Sequence, residues 1–246
     1  TSVASPSAAP ERLVAPDAAL LADVLEWDVV TWSRAVRCWC AAGLPGPGRT
    51  VVDLGSRRGG LSLLFARDGA HVVCSDLDGP SPEARALHER HGVADRVDYR
   101  ALDATALDLP DRSVDAVCFK SVLGGVGRDD NFVAQRKALA EIRRVLVPGG
   151  RLYFAENLTA SPLHGFLRRC FIPWGGAWRY VSLAEMAVLL ADFEVRTLAA
   201  TGFWATFGRS NAQRDALARL DRLVAPVVPR AWRYVAYGVA DVPNAG

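Results

Sequence analysis

Three aspartates and a glycine loop sit at the ends of successive apolar runs, with spacing that suits a nucleoside-binding site. The segment Val51-Val-Asp-Leu-Gly55-Ser-Arg-Arg-Gly59-Gly60 joins a short apolar run to a helical pattern. Glycines there let the backbone approach a ligand, and the free N–H groups of the following helix suit an anion. Asp53 lies inside the run and is placed to hold the loop by accepting backbone N–H bonds. The glycine spacing is not that of the nicotinamide-dinucleotide fingerprint. Asp76 closes the next run, 23 positions after Asp53, where a carboxylate accepts from ribose hydroxyls. Asp103 follows the third run, where a carboxylate accepts from an adenine amino group.

Those positions need a sheet to bring them together. Apolar residues from Ala18 to about Ala42 recur at helical spacing, and Gly43-Leu-Pro-Gly-Pro-Gly48 stops that helix. Strands are expected at 49–54, 71–75, 97–101, 114–119 and 151–155. Helical patterns lie between them, one starting at Ser81-Pro82 and one running from 130 to 146 into Pro148-Gly149-Gly150. This alternation predicts a parallel α/β sheet with right-handed crossovers. Beyond residue 157 it breaks: an amphipathic stretch from Ser161, a capping box at Ser182-Leu-Ala-Glu185, a strand at 193–199, a helix at 211–224 and a strand at 232–239. Residues 1–16 read as a disordered lead-in.

Composition narrows the function classes. Of 246 residues, 29 are basic and 27 acidic, a net charge of +2, which argues against a nucleic-acid binder working by phosphate neutralisation. Only Lys120 and Lys137 are lysines, an arginine bias that fits a GC-rich genome. Five cysteines with no CxxC, and no Cys/His cluster at zinc spacing, suggest free thiols in a reducing cytoplasmic setting and no metal site. No apolar run approaches a transmembrane helix. His88 and His91 read as a surface pair.

The segments VVDLGSRRGG (51–60), SDLD (75–78), LDATALDLPDRSVDAV (102–117) and LAEIRRVLVPGGRLYFAEN (139–157) resemble the class I S-adenosylmethionine-dependent methyltransferases, in their small-molecule branch. The resemblance covers residues 20–157 best. It implies a Rossmann-like, seven-stranded, mostly parallel sheet with helices on both faces, forming one domain over 17–246. Within it, 17–48 would be an N-terminal helical cap and 158–182 a lid insert after the fifth strand. The cofactor would be S-adenosylmethionine, leaving as S-adenosylhomocysteine. The implied cofactor-binding residues start with Gly55 and Gly59 beside the methionine part, with Asp53 and Ser56 in the same loop. Asp76 and Leu77 would serve the ribose and Asp103 and Ala104 the adenine. Lys120 would sit beside the sulfonium pocket, and the helix around Glu26-Trp27-Asp28 would cap it. Arg57 occupies the family's usual middle-glycine position.

The acceptor side is less marked. The insert carries an apolar stripe of Leu163, Phe166, Leu167, Cys170 and Phe171, with His164, Arg168 and Arg169 off it. Arg168, Arg169, Trp174, Trp178, Arg179 and Tyr180 could stack on a ring and pair with a carboxylate or phosphate. Glu156 and Asn157 end the fifth strand on the same side, and His164 is the candidate general base. The expectation is O- or N-methylation of a small molecule in bacterial specialised metabolism. Partners are expected to be small molecules, with neither nucleic acid nor membrane. Two alternatives are a non-methylating cyclase or isomerase on the same fold, and a membrane-associated or partner-binding module using the insert.

Overall fold

The structure, a computed structural model, describes residues 16–171 and 178–244, apart from the Phe171 side chain. The expected lead-in lies almost wholly outside the described residues.

Seven strands form one sheet: β1 (Thr50–Leu54), β2 (His71–Asp76), β3 (Val97–Ala101), β4 (Val114–Lys120), β5 (Leu146–Asn157), β6 (Glu194–Thr201) and β7 (Val235–Asp241). Their order is β3-β2-β1-β4-β5-β7-β6. The first five pair in parallel, and β7 runs antiparallel to both β5 and β6. The expected mostly parallel, seven-stranded sheet is therefore present. Its strands are apolar on both sides because both faces are covered. Val51, Val72, Cys74, Ala116, Cys118 and Tyr153 point into one core layer. Their alternates Val52, Val73, Val117, Phe119, Leu152 and Phe154 point into the other.

Helices α1 (Ala18–Leu25), α2 (Val29–Ala42), α3 (Gly60–Arg67) and α4 (Pro82–Arg90) build the first layer. Helices α5 (Leu123–Val126), α6 (Phe132–Val145) and, after α7 (Pro162–Phe171), α8 (Leu183–Leu189) belong to the second. Helix α9 (Asn211–Val224) packs on α2 and adds Ala218 to the first layer. The Ser182–Glu185 capping box forms in both directions at the start of α8.

Two local expectations change. The helix expected over 18–42 is broken at Glu26-Trp27-Asp28, where Glu26 and Asp28 take φ of 66° and 48°. The apolar spacing continues through the break almost in phase, so periodicity does not show it. The fifth strand starts at Leu146, and Pro148-Gly149-Gly150 forms an irregularity in its register with β4 rather than a helix stop outside it.

Helix α3 starts against the cap. A Cβ on Gly60 would lie 2.2 Å from the Val24 carbonyl oxygen and 2.8 Å from its carbon, both backbone atoms of α1. Gly60→Ala must lift α1 from α3, with an expected loss of about 3 kcal/mol on the scale of overpacked cores. Urea unfolding reads that loss directly.

Candidate functional site

The chain leaves β1 for β2 on one side and reaches β4 on the other. Loops that diverge in this way open a crevice at the carboxyl ends of the strands. A cavity of about 630 Å³ lies there, lined by Gly55, Arg57, Asp76, Leu77, Asp103 and Ala104, with Ser121, Val122, Gly125 and Trp178 on the opposite wall. Six of the eleven expected cofactor residues therefore share one cavity.

The loop geometry explains the residue types. Gly55 has φ of 64°, and a Cβ there would lie 2.5 Å from Val122 Cγ2. Arg57 departs from the glycine pattern in side chain but not in backbone. It takes φ of 48°, its side chain is exposed, and its N–H donates to Asp76 Oδ2 at 3.0 Å. A left-handed non-glycine residue costs roughly 1–2 kcal/mol, partly offset by glycine's greater entropy loss on folding. Arg57→Gly should therefore gain about 0.5 kcal/mol in urea unfolding while keeping the bond to Asp76. The Leu77 N–H donates to the other Asp76 oxygen at 2.8 Å. Asp103 Oδ1 accepts from the Thr105 N–H and hydroxyl, each at 2.8 Å, which aims the loop after β3.

A smaller cavity, of about 30 Å³, shares Gly55 and Arg57 with the first and adds Glu26, Asp53, Ser56 and Lys120. Asp53 is buried, and its Oδ2 accepts from the Ser62 N–H at 2.9 Å and the Ser62 hydroxyl at 2.7 Å. Its Oδ1 has no partner among the described residues. Burial pushes its carboxyl up to about 7 despite the Ser62 bonds. Lys120 Nζ lies 4.9 Å from the Trp27 ring centre and 5.0 Å from that of Trp32, and donates to the Leu25 carbonyl at 3.3 Å. Burial lowers its ammonium to about 8. The lysine thus fastens the cap to the end of β4.

Two expected cofactor residues do not line either cavity. Asp28 is buried, and its Oδ2 accepts from the Tyr234 hydroxyl, which also contacts Thr31 at 3.0 Å. It therefore ties the cap to the start of β7. Gly59 gives its carbonyl to His88 Nε2 at 2.9 Å. His88 also meets the Tyr99 hydroxyl at 2.8 Å and is fully buried, which corrects the expectation of a surface residue.

The acceptor-side residues separate more sharply. His164, the candidate base, is buried with both ring nitrogens engaged, Nδ1 with the Ser161 hydroxyl at 2.7 Å and Nε2 with the Phe203 carbonyl at 2.9 Å. It lines neither cavity and is corrected to a packing role, stacked among Phe203, Phe207 and Tyr234. Glu156 accepts from the N–H groups of Val122, Leu123 and Asn157, so it shapes the loop after β4 instead of presenting free oxygens. Asn157 donates to the Ser121 hydroxyl at 2.6 Å, one step from the cavity wall. Arg179 is spent on Asp130, Gln135 and Glu185. Arg169 is exposed, and Trp174 lies outside the described residues. Trp178 does line the cavity, against Gly124 and Gly125. Arg168 is buried with its Cζ 3.9 Å from the Tyr180 ring centre.

Helix α7 does not bury its apolar stripe. Its apolar residues Leu163 and Phe166 are exposed, while His164 and Arg168 face inward. Local bonds to Ser161, Leu158 and Thr159 outweigh the apolar stripe. Two contributors escaped sequence reasoning. Val122, with the Gly124-Gly125 pair behind it, had a signal in the glycines after β4. Tyr234 had none, since its partner Asp28 is 206 positions away. Among the described residues no three His, Cys, Asp or Glu side chains cluster as metal ligands, and no helix is long and apolar enough to cross a membrane.

Comparison with known proteins bears on this site. Residues 52–154 match the family model described as a methyltransferase domain. A demethylmenaquinone methyltransferase of Clavibacter sepedonicus is 37% identical over 133 residues, covering 54% of this chain and 48% of the relative. A ubiquinone/menaquinone biosynthesis C-methyltransferase of Hydrogenovibrio crunogenus is 35% identical over 153 residues, covering 60% and 55%. The chain thus spans about half the length of these curated relatives. The geranyl diphosphate C-methyltransferase of Streptomyces coelicolor A3(2), solved with Mg2+, geranyl diphosphate and S-adenosyl-L-homocysteine, superposes with a TM-score of 0.62 at 18% identity, covering 85% of this chain and 78% of that one. The [4+2]-cyclase SpnF superposes at 0.54 with 21% identity, covering 81% and 76%. These two likenesses show the shared fold. The matched segment runs from β1 into β5 and so contains the glycine loop, Asp76 and Asp103; over that segment the chain is similar to methyltransferase domains.

Proposed function

We propose that this chain binds S-adenosylmethionine in the large cavity and transfers its methyl group to a small organic acceptor, with residues 17–48 as cap and 158–182 as acceptor-side insert. The observation that carries this is the convergence of Gly55, Asp76 and Asp103 on one cavity at the sheet's switch point. The residues present suit the cofactor. Asp76 and Asp103 would hold ribose and adenine. The unpartnered, buried Asp53 Oδ1 would face the methionine ammonium. The cofactor supplies a methyl group already activated on a sulfonium, so the protein's task is chiefly to orient the acceptor and exclude water. Lys120 and the two tryptophans close the methionine end, and Trp178 covers the opposite wall.

The ubiquinone/menaquinone biosynthesis relative of Hydrogenovibrio crunogenus is a C-methyltransferase, which favours a carbon acceptor over the oxygen or nitrogen expected from sequence. Arg57 gives no support to a non-methylating variant, because its backbone keeps the glycine conformation and its side chain is exposed. Calorimetric titration with S-adenosylhomocysteine tests the reading: saturable 1:1 heat is expected, and its absence would remove the function.

A further inference from the structure

We infer that Arg168 and Tyr180 form a receiving site for a carboxylate carried by the methyl acceptor, at the carboxyl end of β5. This rests on the proposed function and names the class of acceptor it takes.

Arg168 is only 8% exposed. Its Nη1 donates to the Leu158 carbonyl at 2.7 Å and the Thr159 carbonyl at 3.3 Å, and its guanidinium lies over the Tyr180 ring. Among the described residues no carboxylate is within ion-pair distance. Arg144, Arg151 and Arg179, all less buried, each have one. Burying a guanidinium without a counter-charge is costly, and here burial already presses its pKa down. An anion would supply the counter-charge.

The free edge specifies which anion. Nη1 is occupied, which leaves Nε and Nη2 with no acceptor among the described residues. These two parallel N–H groups match the two oxygens of a carboxylate in a bidentate pair. The titratable groups facing Arg168 are Tyr180, Tyr234 and His164. Burial lowers the His164 pKa and raises those of both tyrosines, so all three are neutral near pH 7. Glu156 also faces Tyr180, and with its carboxyl raised to about 7 by burial the site carries at most one positive charge, which a single carboxylate neutralises and a diphosphate would overshoot. It joins the cavity through β5. Leu158, which receives Arg168, follows Asn157, and Asn157 bonds to Ser121 on the cavity wall.

The test is calorimetry on the full chain saturated with S-adenosylhomocysteine, titrated with 2-naphthoate, 2-naphthamide and inorganic pyrophosphate. Naphthoate should bind at least about 10-fold more tightly than the amide. Arg168→Gln should erase that difference and leave the affinity for S-adenosylhomocysteine unchanged, Arg168→Lys should recover only part of it, and the exposed Arg169→Gln should keep it. Equal binding of acid and amide to the unaltered protein overturns the inference, whether or not any variant folds. So does pyrophosphate binding above naphthoate, or an Arg168→Gln protein that keeps the preference. A protein that binds no S-adenosylhomocysteine sinks the proposed function instead. The naphthoate and naphthamide titrations on that cofactor-free protein still decide the Arg168 site.

Discussion

Asp76→Ala should weaken S-adenosylhomocysteine binding by about 100-fold. The carboxylate ends β2 on the cavity wall and already accepts the Arg57 and Leu77 N–H groups, one on each oxygen. Each oxygen keeps a lone pair for a ribose hydroxyl. Hydrogen bonds to a charged acceptor contribute roughly 1.5–3 kcal/mol each, and about 3 kcal/mol for two is a factor near 150. Asp76→Asn keeps one acceptor and loses the charge, so about a 10-fold loss is expected. Stability should change little, because Asp76 is partly exposed and water can satisfy both freed N–H groups. Calorimetry on the three proteins orders them. An alanine variant within threefold of the unaltered protein removes Asp76 from the site.

Asp53→Asn should gain about 3 kcal/mol over the unaltered protein between pH 5 and pH 8. Burial raises the Asp53 carboxyl from 3.8 to about 7. Between those values the folded chain holds a proton that the unfolded chain has released, so stability falls as pH rises through this window. At about 1.4 kcal/mol per unit of pKa, most of the penalty accumulates between pH 5 and 7. Asparagine keeps an acceptor for both Ser62 bonds and does not titrate. Glu156, raised to about 7, and Asp28, raised to about 6, act in the same direction. His88 and His164, lowered by burial, act in the opposite one. The difference between the two proteins isolates Asp53 from all four. Urea unfolding at pH 5, 6, 7 and 8 gives that difference, and a constant gap defeats the assignment.

Much of the fold was legible because its signals are local. Short apolar runs marked β1 to β4 within a residue, and the Ser182 capping box placed α8. The cavity's glycine and aspartate residues were legible for the same reason, each sitting at or just beyond the end of a strand. What could not be read depends on partners far along the chain. The break at Glu26–Asp28 needs Lys120 and Tyr234 to hold it. The inward turn of His164 needs the Phe203 carbonyl. His88 seemed exposed until Gly59 and Tyr99 closed on it.

The cap and β7 hold each other, and this sets an order of events during synthesis. Trp39 of α2 donates to the Gly238 carbonyl across 199 positions. At about 5–20 residues per second, the ribosome delivers that partner roughly 10–40 s after the helix emerges. Until then the β7-facing edge of β5 is unpaired and the Trp39 face of α2 has β5 but not β7 to cover. Such an edge is a template for mispairing. The nascent chain thus passes through an interval of tens of seconds in which that strand edge is open.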